Sequence, residues 1–107
     1  MFNLPIDFKL KRKKWTVELT SDKMEHPDYP NHNIRGLCSK EDRLIEIDEK
    51  QSQYNILKTF WHEYLHAIEY EYGLKIPHKL IYALEAPLTA MVVLLIKLNT
   101  PQRRERK

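Results

Sequence analysis

The sequence predicts an α+β fold, in which a small antiparallel sheet of about three strands is followed by two helices that pack on it. Three observations lead to this prediction. Apolar and polar residues alternate in residues 15–20 and 43–48, as they do in half-buried strands. From residue 51 the apolar spacing changes to the period of about 3.6 residues of an amphipathic helix. Gly73 and Pro77 then stand where one helix would end and another begin.

The predicted strands lie in the first half of the chain. Trp15, Val17 and Leu19 would share one strand face, and an earlier alternation through Phe8 and Leu10 predicts a partner strand. We interpret the basic residues between these two segments as a hairpin connection. Residues 21–33 are polar and contain two prolines, which predicts a loop. Residues 33–39 and 43–48 are predicted to be strands on either side of a turn.

The second half of the chain contains the predicted helices. Asp48 and Gln51 have the spacing of a capping box, so the first helix is expected over residues 49–72. The second helix is expected to start near His78. Pro87 removes one hydrogen bond within that helix and is expected to kink or break it.

Residues 80–98 are apolar enough that a membrane-spanning helix has to be considered. Glu85, Pro87 and Lys97 interrupt the segment, and its uninterrupted apolar part, residues 88–96, is too short to cross a bilayer. A buried core helix is therefore favoured over a membrane span.

Length and composition indicate one soluble domain, residues 1–107, with a basic tail at 101–107 that is expected to be disordered. Cys38 is the only cysteine, which excludes an internal disulfide and a four-cysteine metal site. No signal peptide is recognised, so a cytoplasmic location is expected. Half of the 18 lysines and arginines lie in residues 9–14 and in the tail. Solvated termini explain this charge more simply than nucleic-acid binding does.

The motif HEYLH, residues 62–66, falls on the first predicted helix. His62 and His66 are four residues apart, so both side chains project from the same helix face and can bind one zinc ion. Glu63 projects to the side, where it can accept a proton from a water molecule at the metal. This motif predicts His62 and His66 as metal ligands and Glu63 as a catalytic base.

A zinc site of this kind requires a third protein ligand. Glu69 lies on the same helix face but a further turn along, so it would converge poorly on the same ion. Glu85 lies in an otherwise apolar stretch of the second helix, where a buried carboxylate needs a partner. Glu85 is therefore the favoured third ligand. The alternative is a carboxylate at the helix edge, paired with a lysine or an arginine.

The segments HEYLHAIEYEYG and IPHKLIYALEAPL resemble the minigluzincins, the small gluzincin branch of the zincin metallopeptidases, and especially the metallopeptidases of bacteriophages and prophages. The resemblance covers about residues 34–90 and includes the hairpin GLCSKEDRLIEID. It implies a zincin-like fold, one zinc ion held by His62, His66 and Glu85, and Glu63 as general base. It also implies that an edge strand near residues 35–39 pairs with an extended peptide substrate. If the chain is phage-encoded, the host bacterial cytoplasm is its expected location.

Alternative functions stay open at this point. The same ligands could stabilise a non-catalytic binding or regulatory module, although such a module would have no use for Glu63. A third hypothesis is that the protein binds nucleic acid and that the HEYLH motif occurs by chance. Three residues, Tyr70, Tyr82 and His78, are candidates for stabilising an oxyanion.

Overall fold

The computed structural model describes residues 7–21, 25–26 and 29–99. Within these ranges the chain forms a sheet layer and two helices, which confirms the α+β class. The strands are β1 Asp7–Leu10, β2 Lys13–Thr20, β3 Glu25–His26, β4 Tyr29–Asn33, β5 Gly36–Ser39 and β6 Leu44–Asp48, and the helices are α1 Gln53–Tyr72 and α2 His78–Asn99. The disorder expected for the tail, residues 101–107, lies outside the described residues.

The main sheet has four strands in the order β1-β2-β6-β5. The prediction of an antiparallel sheet of about three strands is wrong in one respect, because β2 and β6 are parallel. The chain segment between them is long enough for a crossover, and it places β5 at the sheet edge beyond β6. Alternation identified the strands, but it carries no information about which strand pairs with which.

The predicted hairpin at the start of the described chain is confirmed. β1 and β2 are antiparallel, with Phe8 opposite Trp15. Lys11 and Arg12 form the two-residue connection with φ values of 50° and 67°. Positive φ at both turn positions gives a turn whose twist matches that of the flanking strands.

The loop predicted over residues 21–33 is partly wrong, because β3 and β4 pair in a separate two-stranded antiparallel sheet. Pro30 lies within β4. Proline lacks the N–H that a central strand would donate, but each strand of a two-stranded sheet has a free edge where proline is tolerated.

Helix α1 begins later than predicted. Ser52 is its N-cap, and the Ser52 hydroxyl accepts a hydrogen bond from the backbone N–H of Asn55 at 3.2 Å. Asp48 instead ends β6 and accepts a hydrogen bond from the backbone N–H of Lys50. The predicted C-terminus is confirmed, since Gly73 adopts φ 63° and donates its N–H to the Glu69 carbonyl.

One face of α1 packs on the main sheet and forms the core. Fully buried side chains of β2 and β6 meet the apolar stripe of the helix, and burying side chains of this size stabilises the fold by roughly 1.5–3 kcal/mol each. The core residues on the two sides are Trp15, Val17, Ile45 and Ile47 from the strands and Ile56, Phe60 and Ala67 from the helix. This packing fixes the rotation of α1 about its own axis.

Helix α2 starts at His78 as predicted, after Pro77, whose carbonyl accepts hydrogen bonds from the N–H groups of Leu80 and Ile81. The helix continues through Pro87, so of the two expected outcomes, a kink or a break, the break does not occur. Helix α2 was predicted to be a buried core helix, and this prediction is wrong for most of the helix surface. Only Ile81, Glu85 and Thr89, spaced one turn apart, are buried, and this stripe lies on the side that packs against α1.

The rest of α2 is apolar and solvent-accessible. Large exposed hydrophobic side chains follow its length, namely Leu80, Tyr82, Met91, Leu94, Leu95 and Leu98. By length and composition alone the helix could cross a membrane, and 17% of the apolar window is buried against the protein. Length and composition are weak evidence for a membrane span, because the buried core helix of a soluble protein and a signal sequence pass the same test.

A charged cluster joins the end of α1 to the sheet. The Glu71 carboxylate accepts hydrogen bonds from the Trp15 indole at 2.9 Å and from the Arg43 guanidinium. The hydrogen bond from Arg43 holds the pKa of Glu71 below its usual value. Since Trp15 belongs to β2 and Arg43 precedes β6, one carboxylate links three elements of the fold.

We expect Glu71→Gln to lower the melting temperature at pH 7, because the charged partner of Arg43 is lost. The folded-state pKa of Glu71 is depressed, so its contribution is complete above the usual value of 4.5 and is lost as the pH falls through the folded-state pKa. The difference from the parent should therefore shrink below pH 4.5. Thermal unfolding at several pH values measures it, with the exposed Glu41→Gln as control. A difference that stays constant down to pH 3 would contradict the expectation.

Candidate functional site

The face of α1 beside its sheet-packing stripe carries His62 and His66. The two imidazoles lie one helical turn apart, with ring centroids 4.9 Å from each other. Both side chains are about four-fifths buried. The core packing of Phe60 and Ala67 on the same helix fixes the direction in which these histidines point.

Each histidine ring contacts a carboxylate through its Nδ1 atom. Nδ1 of His62 lies 2.5 Å from Oε2 of Glu85, which reaches the site from α2. Nδ1 of His66 lies 2.7 Å from Oε1 of Glu69. A carboxylate accepts hydrogen bonds, so each neutral ring donates its Nδ1–H and keeps a lone pair on Nε2. Burial lowers the pKa of His66, which favours this neutral form.

The two Nε2 atoms face each other at 3.3 Å. Two lone pairs at this distance repel unless a cation or a proton lies between them. Two histidine nitrogens that bind one zinc ion at about 2.0–2.1 Å with a tetrahedral angle are about 3.3–3.4 Å apart. The spacing and the nitrogen donors therefore fit a zinc ion, and His62 and His66 are the residues that could hold it.

A third histidine joins this pair. Ligand atoms of His62, His66 and His78 lie within 4.8 Å of one another, which is a spacing that suits a metal ion. From the sequence, His78 was expected only as a candidate for stabilising an oxyanion and not as a metal ligand. Its spacing from the HEYLH motif did not mark His78 as a ligand, because its approach depends on how α2 packs against α1.

The predicted third ligand, Glu85, is brought to the site but does not belong to that three-residue group. The Glu85 carboxylate is buried, with 8% of the residue exposed, and it contacts the side of the His62 ring that faces away from Nε2 of His66. Glu69 likewise contacts Nδ1 of His66. The third ligand position therefore has two candidates, Glu85, which the sequence predicts, and His78, which lies in the three-residue group.

Glu63 is buried between α1 and the edge strand β5, with 8% of the residue exposed. Burial raises the pKa of Glu63 to about 7, with the His62 ring opposing this shift and the negative charge of Glu85 adding to it. A carboxyl group with a pKa near 7 can accept and return a proton at neutral pH. The placement and the pKa both suit the predicted role of Glu63.

Gly36 allows β5 to approach this carboxylate. A Cβ atom at position 36 would lie 2.4 Å from Cγ2 of Thr59 and 3.2 Å from Cγ of Glu63. A side chain at this position would require Thr59, the strand or the helix to move. The glycine therefore sets the distance between β5 and the middle of α1.

These residues line a cleft with a volume of about 940 Å³ between β5, α1 and the start of α2. One wall is the β5 segment, including Leu37 and Cys38. Burial raises the pKa of the Cys38 thiol to about 12, so the thiol stays protonated, and Cys38 packs against the core. This environment favours the apolar role of Cys38 over metal binding.

Two of the three candidates for oxyanion stabilisation line the cleft. Tyr82 lies beside His62, with ring centroids 5.2 Å apart, and His78 lies near both His62 and His66. Tyr70 packs against Trp15 instead and is not among the cleft residues. The cleft therefore leaves His78 and Tyr82 as the candidates for this role.

Comparison with models of known protein families, with curated proteins and with solved structures gave no match for this chain. The function is therefore inferred from the residues of the cleft and from their geometry.

We expect Gly36→Ala to destabilise the protein by about 1–3 kcal/mol, because the added methyl group overlaps Thr59. The double variant Gly36→Ala/Thr59→Ser should recover part of this loss. Serine removes the overlapping methyl group and keeps the hydroxyl that donates to Gln51 at 3.1 Å. Chemical denaturation of the parent, both single variants and the double variant gives the coupling. Purely additive effects would contradict the close approach of β5 to α1.

Proposed function

We propose that this chain is a zinc-dependent metallopeptidase that hydrolyses peptide bonds, with one zinc ion per chain and Glu63 as general base. The observation that carries the proposal is the 3.3 Å separation of the two Nε2 atoms of His62 and His66, next to the buried carboxylate of Glu63. Zincin-like architecture and membership of the minigluzincins belong to the same proposal, and they are supported by HEYLH and by the glutamate on α2.

In this proposal His62, His66 and Glu85 hold the ion. When bound, zinc would supply a Lewis acid and lower the pKa of a water molecule in the cleft. Glu63 accepts the proton of the attacking water and returns it to the leaving amine. Its burial under β5 keeps bulk water away from the carboxylate, which raises its basicity.

The substrate in this proposal is an extended peptide. β5 is the last strand of the main sheet, so its outer edge carries backbone groups that no strand of that sheet pairs. Residues 34–38 of this segment also line the cleft. A peptide added to this edge would form main-chain hydrogen bonds while its scissile bond lies over α1.

A non-catalytic, zinc-stabilised binding or regulatory module is the second candidate function, because the same ligands would join α1 to α2. Glu63 distinguishes the two candidates, since a structural metal site needs no base beside it. Burying an ionisable carboxyl group at this position costs stability, and catalysis supplies a reason to keep it.

We expect Glu63→Gln to bind about one zinc per chain, as the parent does, and to lose hydrolysis by a factor of about 100 or more. His62→Ala should lose the metal. Untagged protein, a metal assay and a set of fluorescence-quenched peptides are sufficient for the measurement. Hydrolysis that is equal in Glu63→Gln and the parent would exclude the proposed base. Zinc binding without hydrolysis in the parent would favour the non-catalytic module.

The third ligand can be decided with Glu85→Gln and His78→Ala. If Glu85 is the ligand, Glu85→Gln should weaken zinc binding by more than about 100-fold, beyond the 10–100-fold loss typical of a residue that only orients a ligand. Strong zinc binding by Glu85→Gln combined with weak zinc binding by His78→Ala would assign the third ligand position to His78.

A chelator should lower the melting temperature of the parent. At free zinc a thousandfold above the dissociation constant, bound zinc adds about 4 kcal/mol to the free energy of unfolding, and the chelator removes this contribution.

A further inference from the structure

The Glu69 carboxylate makes two contacts, and neither has a role in the proposed peptide hydrolysis. Oε1 of its carboxylate lies 2.7 Å from Nδ1 of His66, and Oε2 accepts a hydrogen bond from the backbone N–H of Ile76 at 2.6 Å. Its backbone carbonyl accepts hydrogen bonds from the N–H groups of Gly73 and Leu74. One residue therefore contacts the metal-site histidine and both ends of the segment that leads from α1 towards α2.

The contact with His66 determines which ring nitrogen carries the proton. A carboxylate can only accept, so Nδ1 of the neutral ring must donate, and Nε2 is left with its lone pair. That lone pair is directed at Nε2 of His62, 3.3 Å away. Without the carboxylate, the Nδ1–H and Nε2–H forms of His66 would both be accessible, and only the first can bind a metal ion through Nε2.

The contact with Ile76 determines where the second helix starts. Ile76 precedes Pro77, whose carbonyl caps α2, and His78 is the first residue of that helix. Glu85 lies two turns further along the same helix. Holding Ile76 against Glu69 therefore places the α2 side of the cleft relative to His66.

We propose that Glu69 is a positioning residue that fixes the Nδ1–H form of His66 and anchors the α1–α2 connection, so that both halves of the site are assembled before a metal ion binds. The inference rests on the proposed function only in taking a metal ion as the partner of Nε2. It gives Glu69 a role different from the ligand role that its sequence position made unfavourable.

The first test uses metal-free protein, so its result does not depend on the proposed function. Ring ¹⁵N resonances of His66 should report the Nδ1–H form in the parent, and the Ile76 amide should exchange slowly. In Glu69→Ala the ring should become a mixture of both forms, and the Ile76 amide should exchange faster. Glu41→Ala removes the same charge from an exposed turn and should change neither measurement. An unchanged ring form and unchanged Ile76 exchange in Glu69→Ala would overturn the proposal.

The second test measures zinc affinity by competition with a chelator. Glu69→Ala should bind zinc about 10–100-fold more weakly than the parent. Glu69→Gln keeps one acceptor oxygen, so it should lose one of the two contacts. Its zinc affinity should therefore lie between those of the parent and Glu69→Ala. This variant keeps the test decisive if Glu69→Ala does not fold. Equal affinity in all three proteins would overturn the positioning role. If the parent binds no zinc, the proposed function fails, and the ring form of His66 alone decides the role of Glu69.

Discussion

The packing of α1 against the main sheet is the contact on which the rest of the structure depends. Trp15, Ile45 and Ile47 are fully buried beneath the helix, and this contact fixes its rotation. Once the apolar stripe faces the sheet, the adjoining face with His62 and His66 must face the cleft between β5 and α2. The same helix therefore supplies part of the core and most of the site, and a change in its packing would move both.

The cleft brings several ionisable groups together in a largely buried environment, where charges without partners are costly. Glu63 and Glu85 are both buried, and the rings of His62 and His66 contact Glu85 and Glu69 respectively. In each ring the Nδ1 atom has a hydrogen-bond partner, but the lone pairs of the two Nε2 atoms point at each other. A divalent cation would relieve this repulsion and offset the negative charge of the carboxylates. The charge balance therefore supports the proposed zinc site, as the spacing of HEYLH does.

Helix α2 contributes to the site mainly through its N-terminal half. Its buried stripe of Ile81, Glu85 and Thr89 accounts for a small part of its surface, and the exposed remainder is strongly apolar. The narrow stripe explains why the position of α2 needs further anchors. Those anchors lie in the connection, where Glu69 holds Ile76 and Pro77 caps the helix.

The sequence by itself determined the features that depend on neighbouring residues. The hairpin at Lys11 and Arg12, the end of α1 at Gly73, and the shared face of His62 and His66 follow from local periodicity and turn chemistry, and all were predictable. Only the tertiary structure decided the parallel pairing of β2 with β6, the exposure of α2, and the contacts of Glu69, His78 and Glu85 around the two rings. Those features depend on how distant segments meet, and local periodicity specifies which face of a segment is apolar without specifying which partner covers it.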